Sequence, residues 1–205
     1  MRRLIIDTAT RACSVALFEG DNCIAAFHED IGRGHAERLV PMISELPDKG
    51  RAHIIHVDVG PGSFTGIRVG VSAARALALA WDAECHGYSS LDLVAAMARN
   101  GAEIAVDVAM TGGHGEYYFQ SFDVLGAATA PAVSLPPETA AKRSAGDCVA
   151  GDVAGKLIAL RGGGSALTII PDARHWLSIA EAPPLSAQPH YVRGPDAKLP
   201  GGITP

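Results

Sequence analysis

The stretch from Gly60 to Gly70 constrains this chain more than any other part of the sequence. It reads Gly-Pro-Gly-Ser-Phe-Thr-Gly-Ile-Arg-Val-Gly and follows an apolar, strand-like run at residues 54–59. Four glycines in eleven residues require a tight turn or the close approach of another group to the backbone. Ser63 and Thr65 can cap the helix that follows by accepting bonds from its free N–H groups. The pattern therefore predicts a strand, a tight turn and a helix that continues to about Trp81.

The glycine-rich turn has two competing explanations. The N-terminus of a helix presents unpaired donors and a partial positive charge, so such a turn can bind an anion. Alternatively, the glycines only let the helix pack closely on a sheet, and the residues themselves do not choose between the two. The stretch is not a Walker loop, because no Gly-Lys-Ser/Thr follows, and its spacing differs from the dinucleotide fingerprint G-x-G-x-x-G. The candidate anion-binding residues of the turn are Gly62, Ser63, Thr65 and Gly66.

The helix predicted after the turn is apolar almost all the way round. Between Ile67 and Trp81 its polar side chains are Arg68, Ser72 and Arg75, which lie at i, i+4 and i+7 and form one narrow stripe. A helix of this kind is buried on most sides. Either it is buried within one domain, or one face packs on the sheet and the other on a second subunit, since the small residues would let another helix approach closely.

Composition limits the class of protein. The chain has 205 residues, 48% of them hydrophobic, which is enough for one large domain or two small lobes. A net charge of -5 without a long Lys/Arg cluster argues against a primary nucleic-acid binder. The four cysteines are scattered without C-x-x-C spacing, so we expect buried, reduced thiols. We see no signal peptide before the first predicted strand and no apolar run of membrane-spanning length, and we expect a cytoplasmic protein without membrane contact.

The order of the predicted elements suggests two lobes. Three strands with a hairpin, then a helix at residues 35–46, a strand and the long helix follow one another in the first half of the chain. This is the order of a ribonuclease-H-like lobe. We therefore expect a first lobe at 1–100 with both helices, a second, reduced lobe of the same kind at 101–182, and a loosely ordered, proline- and glycine-rich tail at 183–205. Residues 126–141 are predicted to run irregularly over the surface.

Several motifs, in this order, make the chain resemble the TsaB (YeaZ) family over essentially its whole length. Besides the turn, they are Ile6-Asp7-Thr8-Ala9-Thr10, the hairpin from Cys13 to Phe18, Gly34-His35-Ala36-Glu37-Arg38-Leu39-Val40-Pro41-Met42-Ile43, Gly115-Glu116-Tyr117-Tyr118 and Tyr191-Val192-Arg193. The turn motif is specific, and the ordered set is more so. One departure is Thr111-Gly112-Gly113-His114, where many members have an Asp-Ala-Arg-Arg-type run. Any role of that acidic and basic pair has no counterpart here.

The resemblance implies an α/β fold of the actin-like ATPase class, which includes sugar kinases and Hsp70. It also implies a role in making threonylcarbamoyladenosine, the modified base beside the anticodon of tRNAs that read codons starting with A. In that system the TsaB-like subunit is a non-catalytic partner, which pairs through its first lobe with the paralogous catalytic subunit TsaD, and the ATPase TsaE joins them. The isolated chain would form a homodimer through the same surface, and it would meet tRNA only through the complex.

The predicted interface lies on the two helices of the first lobe. The apolar surface of the second helix exceeds what one domain needs, and its polar side chains form a single stripe. We therefore expect the helices at 35–46 and 64–81 to contact a partner or a second copy. The predicted contact residues are His35, Arg38, Leu39, Met42, Arg68, Val71, Ser72, Arg75 and Leu79.

We expect neither a catalytic residue nor a metal site in this chain. The catalytic paralogue binds metal through a His-x-x-x-His pair on one helical face, and our alignment places Ser90 and Val94 at those positions. Since valine cannot bind metal, the resemblance implies no transferase chemistry here. In the superfamily the carboxylate equivalent to Asp7 helps to hold a nucleotide-bound cation, so Asp7 joins the candidate nucleotide-binding residues, with a capping or turn role as its alternative. No tightly bound cofactor is expected, and ATP or ADP would lie at the interface with the catalytic partner.

The alternative function belongs to another class, a small Mg-ATP-dependent phosphotransferase or ATPase that uses Asp7 and the turn at Gly60–Gly66. The actin-like fold permits such an activity, but a fold alone is weak support for a function. Peptidase activity is not expected, because the sequence shows no Ser/His/Asp spacing, zinc motif or G-x-S-x-G elbow.

Overall fold

The hairpin near the start of the chain begins the first of two β-sheets. In this computed structural model, which describes residues 1–192, strand β1 (Arg2–Asp7) pairs antiparallel with β2 (Ala12–Glu19). β2 in turn pairs antiparallel with β3 (Asn22–Asp30). The predicted opening of three strands with a hairpin is confirmed.

Two further strands join this sheet in parallel orientation. Each is reached through a helix, because parallel neighbours need a long crossover connection. Helix α1 (His35–Ser44) leads through a 3-10 turn at Pro47–Gly50 into β4 (Ile54–Asp58), which pairs parallel with β1. Helix α2 (Phe64–Trp81) leads into β5 (Glu84–Tyr88), which pairs parallel with β4. The spatial order is therefore β5-β4-β1-β2-β3. The strand, the turn and the long helix predicted around the glycine-rich stretch are all present.

Helix α3 (Ser90–Arg99) connects this lobe to a second sheet, which repeats the same topology with shorter elements. Its five strands are β6 (Val106–Thr111), β7 (Tyr117–Phe122), β8 (Val133–Leu135), β9 (Cys148–Ala150) and β10 (Ser165–Leu167). They lie in the order β10-β9-β6-β7-β8, antiparallel among the first three in sequence and parallel for the last two. The crossover helices α4 (Pro137–Arg143) and α5 (Ala154–Arg161) are correspondingly short.

After the second sheet the chain returns to the first lobe. A 3-10 helix at Ala173–Ile179 packs against α3 and against β1 and β2. Strand β11 (Leu185–Ser186) then pairs antiparallel with β5 at the edge of the first sheet. Residues 173–186, predicted to lie in the second lobe and in a loosely ordered tail, therefore pack on the first lobe. Residues 193–205 of the predicted tail lie outside the described part of the chain.

The two faces of the first sheet are covered by different helices, because alternate residues of β1 point to opposite sides. Leu4 and Ile6 pack in the core formed with α1 and α2, whereas Ile5 packs with α3 and the 3-10 helix. All three side chains are fully buried. Burial on both faces explains why β1 is a continuous apolar run rather than an alternating one.

Two expectations need correction. Residues 126–141 are not irregular throughout, because β8 pairs with β7 and α4 buries Ala140 and Ala141 in the second lobe. Cys13 and Cys148 are buried as expected, but Cys23 lies on the edge strand β3 and is exposed. Within residues 1–192, no helix has the length and apolar character needed to cross a membrane.

Candidate functional site

The glycine-rich turn is closed tightly over the end of β1. A Cβ atom at Gly62 would lie 2.1 Å from the carbonyl oxygen of Ala9, and one at Gly66 would lie 2.0 Å from that of Thr8. The Ser63 N–H donates to the Ala9 carbonyl at 2.6 Å, and the Ser63 hydroxyl accepts from the Gly66 N–H at 3.2 Å. Close packing of the backbone therefore accounts for these glycines without a bound anion. Thr65, the remaining candidate of the turn, is exposed.

Beneath the turn lies a network of buried polar groups around two carboxylates. Asp7 and Asp58 end the neighbouring parallel strands β1 and β4, and both are completely buried. Asp58 accepts from the Gly60 N–H at 2.7 Å, and its two oxygens lie 2.8 and 2.7 Å from the Ser90 hydroxyl. The Tyr88 hydroxyl lies 3.1 Å from Oδ2 of Asp7. The network ties the start of the turn to the first residue of α3.

The surroundings of the two carboxyl groups favour their protonated forms. Burial, and then the neighbouring Asp58, raise the pKa of Asp7 well above its usual range, and burial also raises the pKa of Asp58. A side-chain hydrogen bond links the two groups. Oδ1 of Asp7 is buried and has no hydrogen-bond donor within reach in residues 1–192, so an ionised carboxylate would be poorly stabilised there. In this arrangement Asp7 lies inside the protein rather than on a nucleotide-binding surface.

The sequence alone did not identify most of this network. Asp58 stands inside an apolar run, and Tyr88 precedes a helix cap. Ser90 is noted in the sequence for its match to a metal-ligand position of the paralogue, and not for a contact with Asp58. A carboxylate at the end of a buried strand was the available signal for Asp58. Among the described residues, no group of three or more His, Cys, Asp or Glu side chains could hold a metal ion.

The structure divides the predicted interface residues into two sets. His35, Leu39, Met42 and Val71 are buried inside the chain. His35 also places Nε2 3.1 Å from the Ala12 carbonyl oxygen, within the fold. The prediction that these four side chains contact a partner is wrong, because the apolar faces of both helices pack on the sheet. They belong to the core, which leaves five of the nine predicted residues available for contact with a partner.

The outer face of α2 carries most of the remaining candidates. Arg68, Ser72, Arg75 and Leu79 are all exposed and follow one helical stripe. Leu79, in the last turn of α2, is 88% exposed and has almost no packing within the chain. Arg38 on α1 is half-buried and forms ion pairs with Glu29 and Glu45. The exposed part of the predicted surface is therefore one face of α2, and Arg38 is engaged by acidic side chains of its own chain.

A cluster at the N-terminal end of this face brings together distant parts of the sequence. The Arg68 guanidinium lies 3.5 Å from the centre of the Phe64 ring, and its Nε donates to the Tyr191 hydroxyl at 2.8 Å. The Phe64 and Tyr191 rings are 5.1 Å apart at their centres. Tyr191 and Val192 belong to the closing motif noted in the sequence, whose third residue, Arg193, lies outside the described part of the chain. Neither Phe64 nor Tyr191 is among the contact residues predicted from the sequence.

Comparison with known families agrees with this architecture. A family model described as "TsaD: tRNA N6-adenosine threonylcarbamoyltransferase" matches residues 27–142, more than half of the chain. The "tRNA threonylcarbamoyladenosine biosynthesis protein TsaB" of Escherichia coli K12 is 37% identical over 132 residues, which are 60% of this chain and 55% of that protein. The chain spans about half the length of the curated relatives it matches.

Solved structures show the same fold. An uncharacterized protein from Pseudomonas aeruginosa "with similarity to peptidase YEAZ" superposes with a TM-score of 0.79 at 29% identity, covering 94% of this chain and 99% of that one. The ethanolamine utilization protein EutJ from Carboxydothermus hydrogenoformans superposes with a TM-score of 0.51 at 12% identity, covering 88% of this chain and 89% of that one. The second likeness concerns the fold alone. Together with the two repeated sheets, these relations identify the fold as the predicted actin-like α/β class.

Proposed function

The chain belongs to the TsaB (YeaZ) family, and from this premise we propose that it is a non-catalytic scaffold subunit needed to form threonylcarbamoyladenosine in tRNA. Its partner would be a TsaD-like catalytic subunit, whose active site it would hold in a competent geometry. A TsaE-like ATPase would join the pair, ATP or ADP would lie at the shared interface, and tRNA would be met only through the complex. The observation that carries this proposal is the exposed face of α2, where Leu79 and two arginines have no place in the chain's own core.

The buried network supports the non-catalytic part of the proposal. Ser90 and Val94 stand where the resemblance places the metal ligands of the catalytic paralogue. The Ser90 hydroxyl is bonded to Asp58, and Val94 is fully buried. Asp7 is fully buried as well, so this carboxylate cannot reach a nucleotide unless the turn moves. The similarity to a peptidase that is stated for the Pseudomonas aeruginosa protein concerns that protein.

The test is the solution mass of the pure chain, alone and mixed with the TsaD-like subunit of the same organism. We expect a one-to-one heterodimer. Leu79→Glu should weaken it at least about tenfold, because a charge would enter an apolar contact, while the free energy of unfolding changes by no more than about 0.5 kcal/mol. Leu160→Glu is the matched control, because Leu160 is a 50% exposed leucine on α5, the corresponding helix of the second lobe.

The outcomes separate the competing functions. Failure of the wild-type chain to bind the catalytic subunit, with or without nucleotide, would contradict the scaffold role. Equal effects of Leu79→Glu and Leu160→Glu would show that the interface is not on α2. Binding and turnover of Mg-ATP by the isolated chain would instead favour the small phosphotransferase or ATPase.

A further inference from the structure

The Arg68 side chain is held by two contacts within its own chain. Phe64 supports one side of its guanidinium, and the Tyr191 hydroxyl accepts the bond from Nε. Long arginine side chains otherwise lose considerable rotamer freedom when they are fixed in an interface. Because Arg68 is already held by its own chain, it should lose less rotamer freedom when a partner binds.

The outer nitrogens of Arg68 remain available. Within residues 1–192, Nη1 and Nη2 donate to no protein acceptor, and the residue is exposed. A guanidinium offers paired N–H groups in a planar fork, which matches the two oxygens of a carboxylate. Beside it lies a shallow depression of about 400 Å³ lined by Phe64, Thr65, Arg68, Val69 and Ser72. The cluster therefore presents a fixed positive fork next to a concave surface.

Tyr191 reaches this place because the last described segment runs along the edge of the first lobe. β11 pairs with β5, and the His190 N–H donates to the Val59 carbonyl at 2.8 Å. These bonds hold the segment beside the strand end that leads into the glycine-rich turn. Tyr191 follows immediately and lies against Phe64 at the start of α2. The position of the tyrosine is thus set by the backbone and not only by its own contacts.

The charge of the surface indicates the chemistry of what it binds. The chain carries a net charge of -5, yet residues 59–81 contain two arginines and no Asp or Glu. If α2 paired with α2 of a second copy, arginines would meet without a carboxylate on either helix, and like charges repel. A different subunit that carries acidic side chains fits this face better.

We propose that Tyr191 is a positioning residue of the partner-binding face, which holds Arg68 so that its outer N–H groups receive a carboxylate side chain of the catalytic subunit. This inference rests on the proposed scaffold function. It adds to that function a residue from the closing motif and the chemistry of the group that the face recognises.

The test measures the dissociation constant of the one-to-one complex with the TsaD-like subunit, at low and high salt. Arg68→Gln and Tyr191→Ala should each weaken binding about tenfold, and Tyr191→Phe, which keeps the ring contact with Phe64, should weaken it only a few-fold. The double variant Arg68→Gln/Tyr191→Ala should bind no more weakly than Arg68→Gln alone, because residues that act through one another are not additive. Arg51→Gln, which removes an exposed arginine from the loop before β4, is the matched control.

Salt dependence supplies a readout that a purely structural role would not change. Added salt should weaken the wild-type complex, and this dependence should be smaller in both Arg68→Gln and Tyr191→Ala but not in Arg51→Gln. Melting temperatures of all variants verify that the fold is intact. Repeating the series with and without Mg-ATP separates a carboxylate of the partner from a phosphate, because a loss seen only with nucleotide would overturn the carboxylate assignment.

The remaining outcomes separate this inference from the proposed function. If the wild-type complex forms and Tyr191→Ala binds equally well, the role of Tyr191 is wrong and the scaffold function stands. Additive effects in the double variant would mean that Tyr191 touches the partner directly, which also overturns the positioning role. If self-association falls more than hetero-association, the occupant is a second copy. If the wild-type chain binds no catalytic subunit, both proposals fail.

Discussion

The two lobes share one topology but differ in what they place at the ends of their central strands. In the first lobe, Asp7 and Asp58 form a fully buried carboxyl pair below the glycine-rich turn. In the second lobe, the corresponding region holds Thr111 and Asp152 near the surface. The Thr111 N–H and hydroxyl donate to the Asp152 carboxylate at 2.8 and 2.6 Å. The strand order alone therefore does not demand a buried pair of acids.

A close glycine contact, in contrast, occurs in both lobes. A Cβ atom at Gly66 would lie 2.0 Å from the Thr8 carbonyl oxygen, and one at Gly151 would lie 2.0 Å from the Ala109 carbonyl oxygen. Gly66 lies in the first turn of α2, and Gly151 lies between β9 and α5. Each glycine therefore follows the fourth strand of its lobe, and each packs against the end of the lobe's first strand. The close glycine contact therefore follows from the shared topology, whereas the buried acids are specific to the first lobe.

The largest effects should come from adding a methyl group at these glycines. Gly66→Ala and Gly151→Ala should each lower the free energy of unfolding by about 3 kcal/mol or more, because backbone rather than a flexible side chain blocks the new Cβ. Gly151 also has φ +125, which disfavours alanine. Urea denaturation of the full chain measures both losses.

Gly155→Ala is the control for these two variants. Gly155 lies in α5 with no atom within 4 Å of the added Cβ, so alanine should stabilise the protein by up to about 1 kcal/mol through helix propensity. A loss below 1 kcal/mol for Gly66→Ala would show that the turn opens readily. In that case its glycines would have to be explained by a ligand.

A smaller effect should distinguish the acids of the two lobes. Asp58→Ala removes the buried acceptor of the Gly60 N–H and of the Ser90 hydroxyl, and it should cost about 3 kcal/mol. Asp152→Ala removes a partly exposed acceptor, whose donors can turn to water, and it should cost about 1 kcal/mol or less. Equal losses in thermal or urea unfolding would mean that the two sites are energetically equivalent and that the contrast between the lobes is only geometric.

The sequence predicts local features of this molecule better than it predicts the site. The strand, turn and helix around Gly60–Gly70 follow from glycine spacing and apolar runs, which act within a few residues. On α2 the polar stripe marks the outer face, and the exposure of Arg68 and Arg75 agrees with it. On α1 no comparable stripe was used, so the inward-facing Leu39 and Met42 were predicted as contacts.

The network around Asp58 depends on pairings between distant segments. Asp58 meets Asp7 only because β4 lies parallel beside β1, and Ser90 joins them because α3 begins at the same edge. Tyr191 reaches Arg68 across more than a hundred residues of chain. The spacing of apolar residues and the composition of the chain carry no information about such distant contacts. The motif at Tyr191 could therefore be noted in the sequence, but the residue that it contacts could not be predicted.

At acidic pH, Asp7→Asn should change the free energy of unfolding less than Gly66→Ala or Asp58→Ala does. The difference from wild type should grow as the pH rises. Burial and the neighbouring Asp58 raise the pKa of Asp7, so the folded protein holds this proton more tightly than the unfolded chain does. The stability linked to the proton is complete below the unfolded pKa of about 4 and is lost as the pH rises through the folded pKa. Asparagine can donate to Asp58 at every pH. Asp7→Asn should therefore differ from wild type by no more than about 1 kcal/mol at pH 5 and become relatively more stable towards pH 9.

Urea unfolding at intervals between pH 5 and pH 9 measures this change, with Asp152→Asn as the control for the loss of one carboxylate. Parallel curves for Asp7→Asn and wild type would rule out a proton held at Asp7. Asp7 and Asp58 would then both be ionised, and hydrogen-bond donors other than those described above would have to stabilise them. A widening gap would mean that Asp7 holds a proton in the folded first lobe, a state that suits a closed turn and not the binding of a cation.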